Sequence, residues 1–157
     1  MSTRSRIAIK RKDGSYDSVY CHFDGYPSGV GNTLVNNYNN SSDAEKIIKL
    51  GDLSVLGSKL EPNKGTKHTF DEPQKGVTIA YGRDRGETNV DAIHSEDIDD
   101  FEYACDNCDA EYAYVWNGND WVFYEVSHGG LEPVYESCNV NLTRSILNNL
   151  NESFDWD

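Results

Sequence analysis

The sequence predicts an α+β fold: an antiparallel sheet of about five strands with helices packed on one face, residues 1–157 forming a single domain. Three observations lead there. Short alternating or β-branched and aromatic runs recur between turn signals, and two pairs of them read as hairpins. Two other stretches place their apolar residues at i, i+4 and i+8, the spacing of one helical face. The length of 157 residues allows roughly two-thirds of the extended chain's surface to be buried, enough for a real core.

The elements follow in order. Residues 6–11, Arg-Ile-Ala-Ile-Lys-Arg, alternate at Ile7 and Ile9 as a strand with one buried face. Asp13-Gly14 is a turn signal, and residues 18–23 resume β character, so the chain opens with a hairpin. Residues 24–29 hold two Gly and Pro27 and cannot continue a strand. Val30, Leu34 and Tyr38 then share a helical face, ending in the Asn-rich run 36–40, which suits a terminus. Ser42-Asp43-Ala44-Glu45 has the capping-box pattern and predicts a short helix, with Ala44, Ile47 and Ile48 inward and Gly51 at its end. Residues 52–56 read as one more helical turn docked by Leu53 and Leu56.

Residues 60–75, with Pro62, Gly65 and Pro73, read as a long loop with room for an edge strand near Thr69 and Phe70. Residues 76–82 predict a third strand, buried on its Val77, Ile79, Tyr81 face. Residues 83–100 are charged and mostly aperiodic, and Phe101-Glu102-Tyr103-Ala104 reads as a short strand. The plainest signal is a hairpin of residues 111–116 and 120–126 around Asn117-Gly118-Asn119. Tyr112, Tyr114 and Trp116 share one face, Ala113 and Val115 the other. His128-Gly129-Gly130 breaks the sheet. Leu142, Ile146 and Leu150 predict a terminal helix capped by Asn139 or Asn141, with Phe154 and Trp156 folding back on the core.

Charge is divided unevenly. Residues 1–86 hold ten Asp/Glu and thirteen Lys/Arg; residues 87–157 hold seventeen Asp/Glu and only Arg144. From Glu87 to Glu111 there are ten carboxylates and no Lys or Arg. Such density raises self-repulsion on folding, and suits solubility, cation binding or a basic partner. It argues against direct nucleic-acid binding, which needs cations to displace counterions. With 11% aromatic residues, ten of them Tyr, the chain is too aromatic for a disordered acidic tail and fits a binding protein. No run reaches membrane-span length, and the N-terminus lacks the apolar run of a secretory signal. Cytoplasm is therefore expected, with the four Cys as reduced thiols.

Two segments are candidates for a ligand site. His22, Asp24 and Tyr26 sit where a strand gives way to a Gly-rich loop before a helix, a common place for binding groups, with Gly29 and Gly31 able to bring backbone N–H groups close to an anion. The alternative is a tight structural turn with a satisfied imidazole. Arg83, Asp84 and Arg85 follow a strand; if it continues, the two guanidinium forks share a side and can grip a phosphate or carboxylate. They can equally form a salt-bridge network. Cys105 and Cys108 have the spacing of half a zinc site, but a second pair is missing, and His94, His128 or Cys138 would have to complete it. No metal and no cofactor is expected. Asp97, Asp99, Asp100 and Glu102 lack the calcium-loop pattern. An acidic loop can also imitate DNA, though no long acidic helix is visible in the sequence.

The segments Val19-Tyr20-Cys21-His22-Phe23-Asp24-Gly25-Tyr26-Pro27-Ser28-Gly29-Val30-Gly31 and Gly76-Val77-Thr78-Ile79-Ala80-Tyr81-Gly82-Arg83-Asp84-Arg85-Gly86-Glu87 resemble a family of small uncharacterised proteins encoded by tailed bacteriophages and prophages. The Tyr-rich strand 112–116 followed by a turn and Trp121 extends the likeness, which covers residue 4 to about residue 126. Cys105 and Cys108 lie outside the pattern. The resemblance implies a phage protein in the cytoplasm of the bacterial host. With the charge, it leads to one expectation: an acidic protein that binds and modulates a host protein with a basic surface, such as one that handles nucleic acid. The alternative is a small-ligand or nucleotide-binding protein, or an enzyme, built on His22, Asp24 and Arg83–Arg85.

Overall fold

The structure is a computed structural model, which describes residues 2–127 and 130–135. The strands are β1 (Ser5–Lys10), β2 (Tyr16–Cys21), β3 (Leu53–Val55), β4 (Ile79–Ala80), β5 (Ile93–Ser95), β6 (Tyr112–Trp116), β7 (Trp121–Ser127) and β8 (Gly130–Tyr135). The helices are α1 (Asn32–Asn37), α2 (Ser41–Leu50), α3 (Tyr81–Arg85) and α4 (Ile98–Asn107), with one π-helical turn, Pro27–Gly31, leading into α1. The fold is α+β.

All eight strands belong to one sheet, in the order β4-β3-β2-β1-β6-β7-β8, with β5 on the same edge of β2 as β3. The expected count of about five strands is too low. The sheet is also mixed: β1 runs parallel to β6, and β2 parallel to β3. The reason lies in β1. It is paired on both edges and buried on both faces, Ile7 and Ile9 on one side and Ala8 on the other. It is a central strand, and central strands are where parallel pairing is protected.

The two faces of the sheet carry separate cores. On one, Ile7, Val19, Leu53, Tyr114, Trp121 and Phe123 pack with Leu34 of α1 and Ala44, Ile47 and Ile48 of α2. On the other, Ala8, Tyr16, Ala113 and Val115 pack with Phe101 and Cys105 of α4. The helices therefore cover both faces, not one as the sequence suggested. The β6–β7 hairpin has the expected register, Trp116 opposite Trp121 and Tyr114 opposite Phe123. Asn117 Oδ1 accepts the N–H groups of Asn119 and Asp120 at 2.9 and 2.8 Å, which closes the turn. The indole N–H groups anchor the hairpin to the α1–α2 corner: Trp121 donates to the Tyr38 carbonyl and Trp116 to Ser41 Oγ, both at 2.9 Å. Gly31 lies so close to Phe123 that a Cβ there would be 2.7 Å from its ring.

Several local expectations are corrected. Helix α2 is capped by Asn40, whose Oδ1 accepts the Asp43 N–H at 2.8 Å, and not by Ser42. Gly51 does end the helix, at φ 86°, where a Cβ would lie 2.6 Å from the Val90 carbonyl oxygen. Residues 53–55 are then strand β3, not a helical turn, because the chain leaving Gly51 is drawn alongside β2 and β4. No strand forms at Thr69–Phe70. In the third predicted strand Ile79–Ala80 pairs as β4 and Val77 makes an isolated parallel bridge to Lys59. Val77 is buried as expected, but Thr78 and Ala80 are fully buried while Ile79 and Tyr81 are only half-buried, so the rest of the buried face is not the expected one.

Residues 101–104 lie inside helix α4, not in a strand: Phe101, Ala104 and Cys105 form an i, i+3, i+4 stripe onto the sheet. The sheet does not end near residue 128, since β8 pairs with β7 from Gly130 onward. The Leu142/Ile146/Leu150 stripe, its caps, Phe154 and Trp156 lie outside the described residues, as do His128 and Cys138. Among the described residues, no helix is long and apolar enough to cross a membrane.

Candidate functional site

His22 follows β2. Its Nδ1 hydrogen-bonds the Tyr20 hydroxyl at 2.6 Å, and its ring meets Phe23 edge-on at 4.5 Å. Burial pushes the Tyr20 hydroxyl up to about 12. Burial, and then the charge of Arg4, lowers the His22 pKa. Asp24 adopts φ 58°, its carbonyl accepts the Val30 N–H at 2.8 Å, and its Oδ1 accepts the Tyr26 hydroxyl at 3.0 Å. Gly29 N–H already donates to the Tyr26 carbonyl at 2.9 Å. The loop is a tight turn whose backbone donors at Gly29 and Val30 are satisfied internally.

Arg83, Asp84 and Arg85 lie in α3, not on a continued strand, so Arg83 and Arg85 point in nearly opposite directions. Arg83 is a clip. Its Nη1 and Nη2 donate to the Leu60 and Thr78 carbonyls at 2.8 Å each, and its Nε donates to Asp84 Oδ1 at 2.9 Å. Asp84 Oδ2 accepts the Ala80 N–H at 2.8 Å and faces His68 Nε2 at 3.3 Å. Burial raises the Asp84 pKa, but Arg83 and the Ala80 N–H outweigh it and hold the carboxyl below its usual range. His68 Nδ1 accepts the Gln74 N–H at 3.0 Å, so the ring carries its proton on Nε2, toward Asp84 and the Thr78 carbonyl. The buried His68 and Asp84 side chains, with the more exposed Arg83, tie down the 60–75 loop. His68 had no distinguishing signal in an aperiodic stretch of sequence. Arg85 lies over the Phe70 ring, 4.7 Å from its centre, and pairs with Glu87 at 3.5 Å. None of these bonds runs between the 22–26 loop and residues 83–85.

Helix α4 presents what the sequence concealed. Asp97 caps it, Oδ1 accepting the Asp100 N–H at 2.9 Å. With Phe101, Ala104 and Cys105 buried, Asp99, Glu102, Tyr103 and Asp106 fall at i, i+3, i+4 and i+7 on an outward stripe. These four residues line a shallow hollow of about 230 Å³. Tyr103 is 68% exposed, the most exposed large hydrophobic residue among those described. Among the described residues no Lys or Arg pairs with Asp99, Glu102 or Asp106. Same-sign neighbours at this spacing destabilise a helix, and Asp106 lies in the last turn, where the helix dipole favours cations. Ile93 and Ile98 are also exposed nearby in sequence.

Cys105 is buried, and burial pushes its thiol up to about 12. The Cys108 thiol donates to the Cys105 carbonyl at 3.4 Å. Of the other ligands the sequence offered, His94 is hydrogen-bonded to Asp17 at 2.7 Å. Among the described residues there is no group of three or more His, Cys, Asp or Glu placed to hold a metal ion. No protein-family model, no curated protein and no solved structure matches this chain.

Proposed function

We propose that this protein is an acidic binding protein that docks onto a basic surface of another protein through the outward face of α4. On the phage-type reading of its two motifs, the partner is a protein of the bacterial host, and the complex modulates that partner in the host cytoplasm. The observation that carries the proposal is the α4 stripe: three carboxylates without cationic partners among the described residues, around one largely exposed tyrosine. Asp99 suits the first turn, but Glu102 and Asp106 at i and i+4, with Asp106 in the last turn, work against the helix's own stability, and local rules broken without local compensation are characteristic of functional surfaces. Tyrosine is a preferred interface anchor because it adds large contact area with few rotatable bonds.

The spacing also narrows the partner. At about 1.5 Å of rise per residue, Asp99, Glu102 and Asp106 are roughly 4.5 and 6 Å apart along the axis, sparser than the 3.4 Å per phosphate of one DNA strand. The face fits a compact patch of Lys and Arg on a protein, of the kind found where nucleic acid is handled, better than it imitates a duplex.

The test is affinity capture from bacterial lysate at low and moderate salt, using the wild-type chain, Tyr103→Ala, and the triple variant Asp99→Asn, Glu102→Gln, Asp106→Asn. The wild type should retain a stoichiometric partner, more completely at low salt, since screening weakens attraction between opposite charges. Tyr103→Ala should weaken binding by about tenfold or more. Equal capture by the triple variant, or no partner under either condition, would refute the reading.

A further inference from the structure

We propose a second site, independent of the acidic face: the cleft between β1, β2 and α4 binds a phosphate group between the guanidinium groups of Arg4 and Arg6. The cleft has a volume of about 400 Å³, and its walls include Arg4, Arg6, Tyr20, Ile93, Ala104 and Cys108. Arg6 stands directly across from Tyr20 in the β1–β2 ladder. It is only 2% exposed. Its Nε and Nη2 donate to Ser18 Oγ at 3.0 Å and to the Ser18 carbonyl at 3.1 Å, and among the described residues its Nη1 reaches only the Cys108 sulfur, at 3.8 Å. Among the described residues no carboxylate lies within ion-pair distance of Arg6.

A buried guanidinium without a direct ion pair is costly, and Ser18 supplies only neutral acceptors. Asp52 is on the cleft wall, but its Oδ1 is held by the Tyr20 N–H at 2.9 Å. Burial raises the Asp52 pKa, opposed by that bond and by the charge of Arg6. Arg4 adds a second cation. Its only ion pair among the described residues is a 3.4 Å contact with Asp109, a carboxylate 82% exposed to water. Such an exposed pair is weak and readily exchanged.

A serine-bonded structural arginine accounts for two nitrogens of Arg6. It does not account for a second arginine two residues away at the mouth of the same open cleft. A carboxylate occupies one guanidinium fork; a phosphate has enough acceptor oxygens for two, and arginine forks match its geometry. The apolar wall of Ile93 and Ala104 leaves room for an organic substituent on the phosphate. His22 stands one hydrogen bond behind Tyr20, and Arg4 is the charge that acts on it. One residue of the sequence-predicted site is therefore linked to this cleft through Tyr20, with Arg4 and Arg6 in the role assigned to Arg83 and Arg85.

Cys108 is the reporter. Cys21 and Cys105 are buried, so alkylation by iodoacetamide, read by peptide mass mapping, follows Cys108 separately from Cys138. Inorganic phosphate and phenyl phosphate are the probes, against chloride at equal ionic strength, with thermal shift measured in parallel. Phosphate should slow Cys108 alkylation and raise the melting temperature where chloride does neither. Arg4→Gln, an exposed change that spares the fold, should raise the half-protecting concentration by roughly tenfold, the loss expected of one charge-assisted hydrogen bond. Arg6→Lys keeps the charge but loses the fork, and should weaken protection as well. Protection by phenyl phosphate at much lower concentration than by inorganic phosphate identifies a phosphate ester as the ligand; equal protection identifies the free ion. Failure of both probes to protect Cys108, or an unchanged half-protecting concentration in Arg4→Gln, overturns the site.

Discussion

Helices α2 and α4, on opposite faces of the sheet, are built to a similar plan and differ most in what they show to solvent. Each has ten residues, each is capped by an Asx side chain accepting the N–H three residues on, and each buries three residues against the sheet. On α2 the charges are balanced. Asp43 is in the first turn and Lys49 in the last, Lys46 lies 3.8 Å from Asp43, and Glu45 takes both terminal nitrogens of Arg11 at 2.5 and 3.0 Å. On α4 every outward charge is negative, and the last turn holds no basic residue. The sheet needs both helices for their inward stripes. The last turn of α2 is arranged for stability where that of α4 is not, and the proposed function rests on that difference.

The largest losses of stability are expected at the inward stripes of the two helices. Phe101→Ala removes a ring stacked 4.8 Å from Tyr16 and should cost about 3–5 kcal/mol. Ile47→Ala on α2 should cost about 2–5 kcal/mol. Denaturant melts check both, and a loss well under 1 kcal/mol in either would show that helix to be peripheral to its core.

The caps come next. Asn40→Ala should cost about 1 kcal/mol, within the usual 0.5–2. Asp97→Ala should cost less, because it loses the same cap but also removes one charge from a crowded acidic segment. Equal losses would argue that repulsion on α4 is negligible.

Outward charges should give opposite signs. Glu45→Gln breaks the paired contact with Arg11 and should destabilise by up to about 1 kcal/mol. Asp106→Asn should stabilise by roughly 0.3–1 kcal/mol, by relieving the dipole and its acidic neighbours. Both effects should shrink as salt is raised; a destabilising Asp106→Asn would remove the contrast.

The smallest expected effect is in pH. The hydrogen bond from His94 to Asp17 raises the His94 pKa above its ordinary value. A raised folded-state pKa means that this stabilisation is fully present below the ordinary histidine value of about 6.5 and is lost as pH rises through the folded value. Melting temperatures of wild type and His94→Gln should therefore differ at mildly acidic pH and converge at alkaline pH. Convergence in the opposite direction would reverse the assignment.

Legibility followed the range of the signal. The β6–β7 hairpin was readable because its turn residues and its alternating aromatic faces lie within a few positions of one another. Helix α4 was not. Phe101 and Tyr103 carry strand propensity, and the cap at Asp97 is one carboxylate among many, so the phase that separates Phe101 from Asp99 appears only once the sheet selects a face. The acidity itself was plain; its arrangement around Tyr103 was not. Arg-x-Arg spacing puts both side chains on one side only in a strand; Arg83 and Arg85 fold into α3, while Arg4 and Arg6 carry the same spacing into β1, Arg4 immediately preceding it and Arg6 within it.

The sequence by itself determined the elements whose causes are local: the hairpin around Asn117-Gly118-Asn119, the inward stripe of α2 with Gly51 closing it, and the division of charge between the two halves. Only the tertiary structure decided that β1 is central and parallel to β6, that residues 53–55 are a strand, and that α4 covers the face opposite α2. A strand's hydrogen-bond partners and a buried charge's neighbours are supplied by distant segments. Ser5 pairs with Tyr112, and Arg6 meets Cys108 across 102 positions. No local pattern encodes such a meeting, because burial on both faces of β1 is a property of what packs against it, not of the six residues that form it.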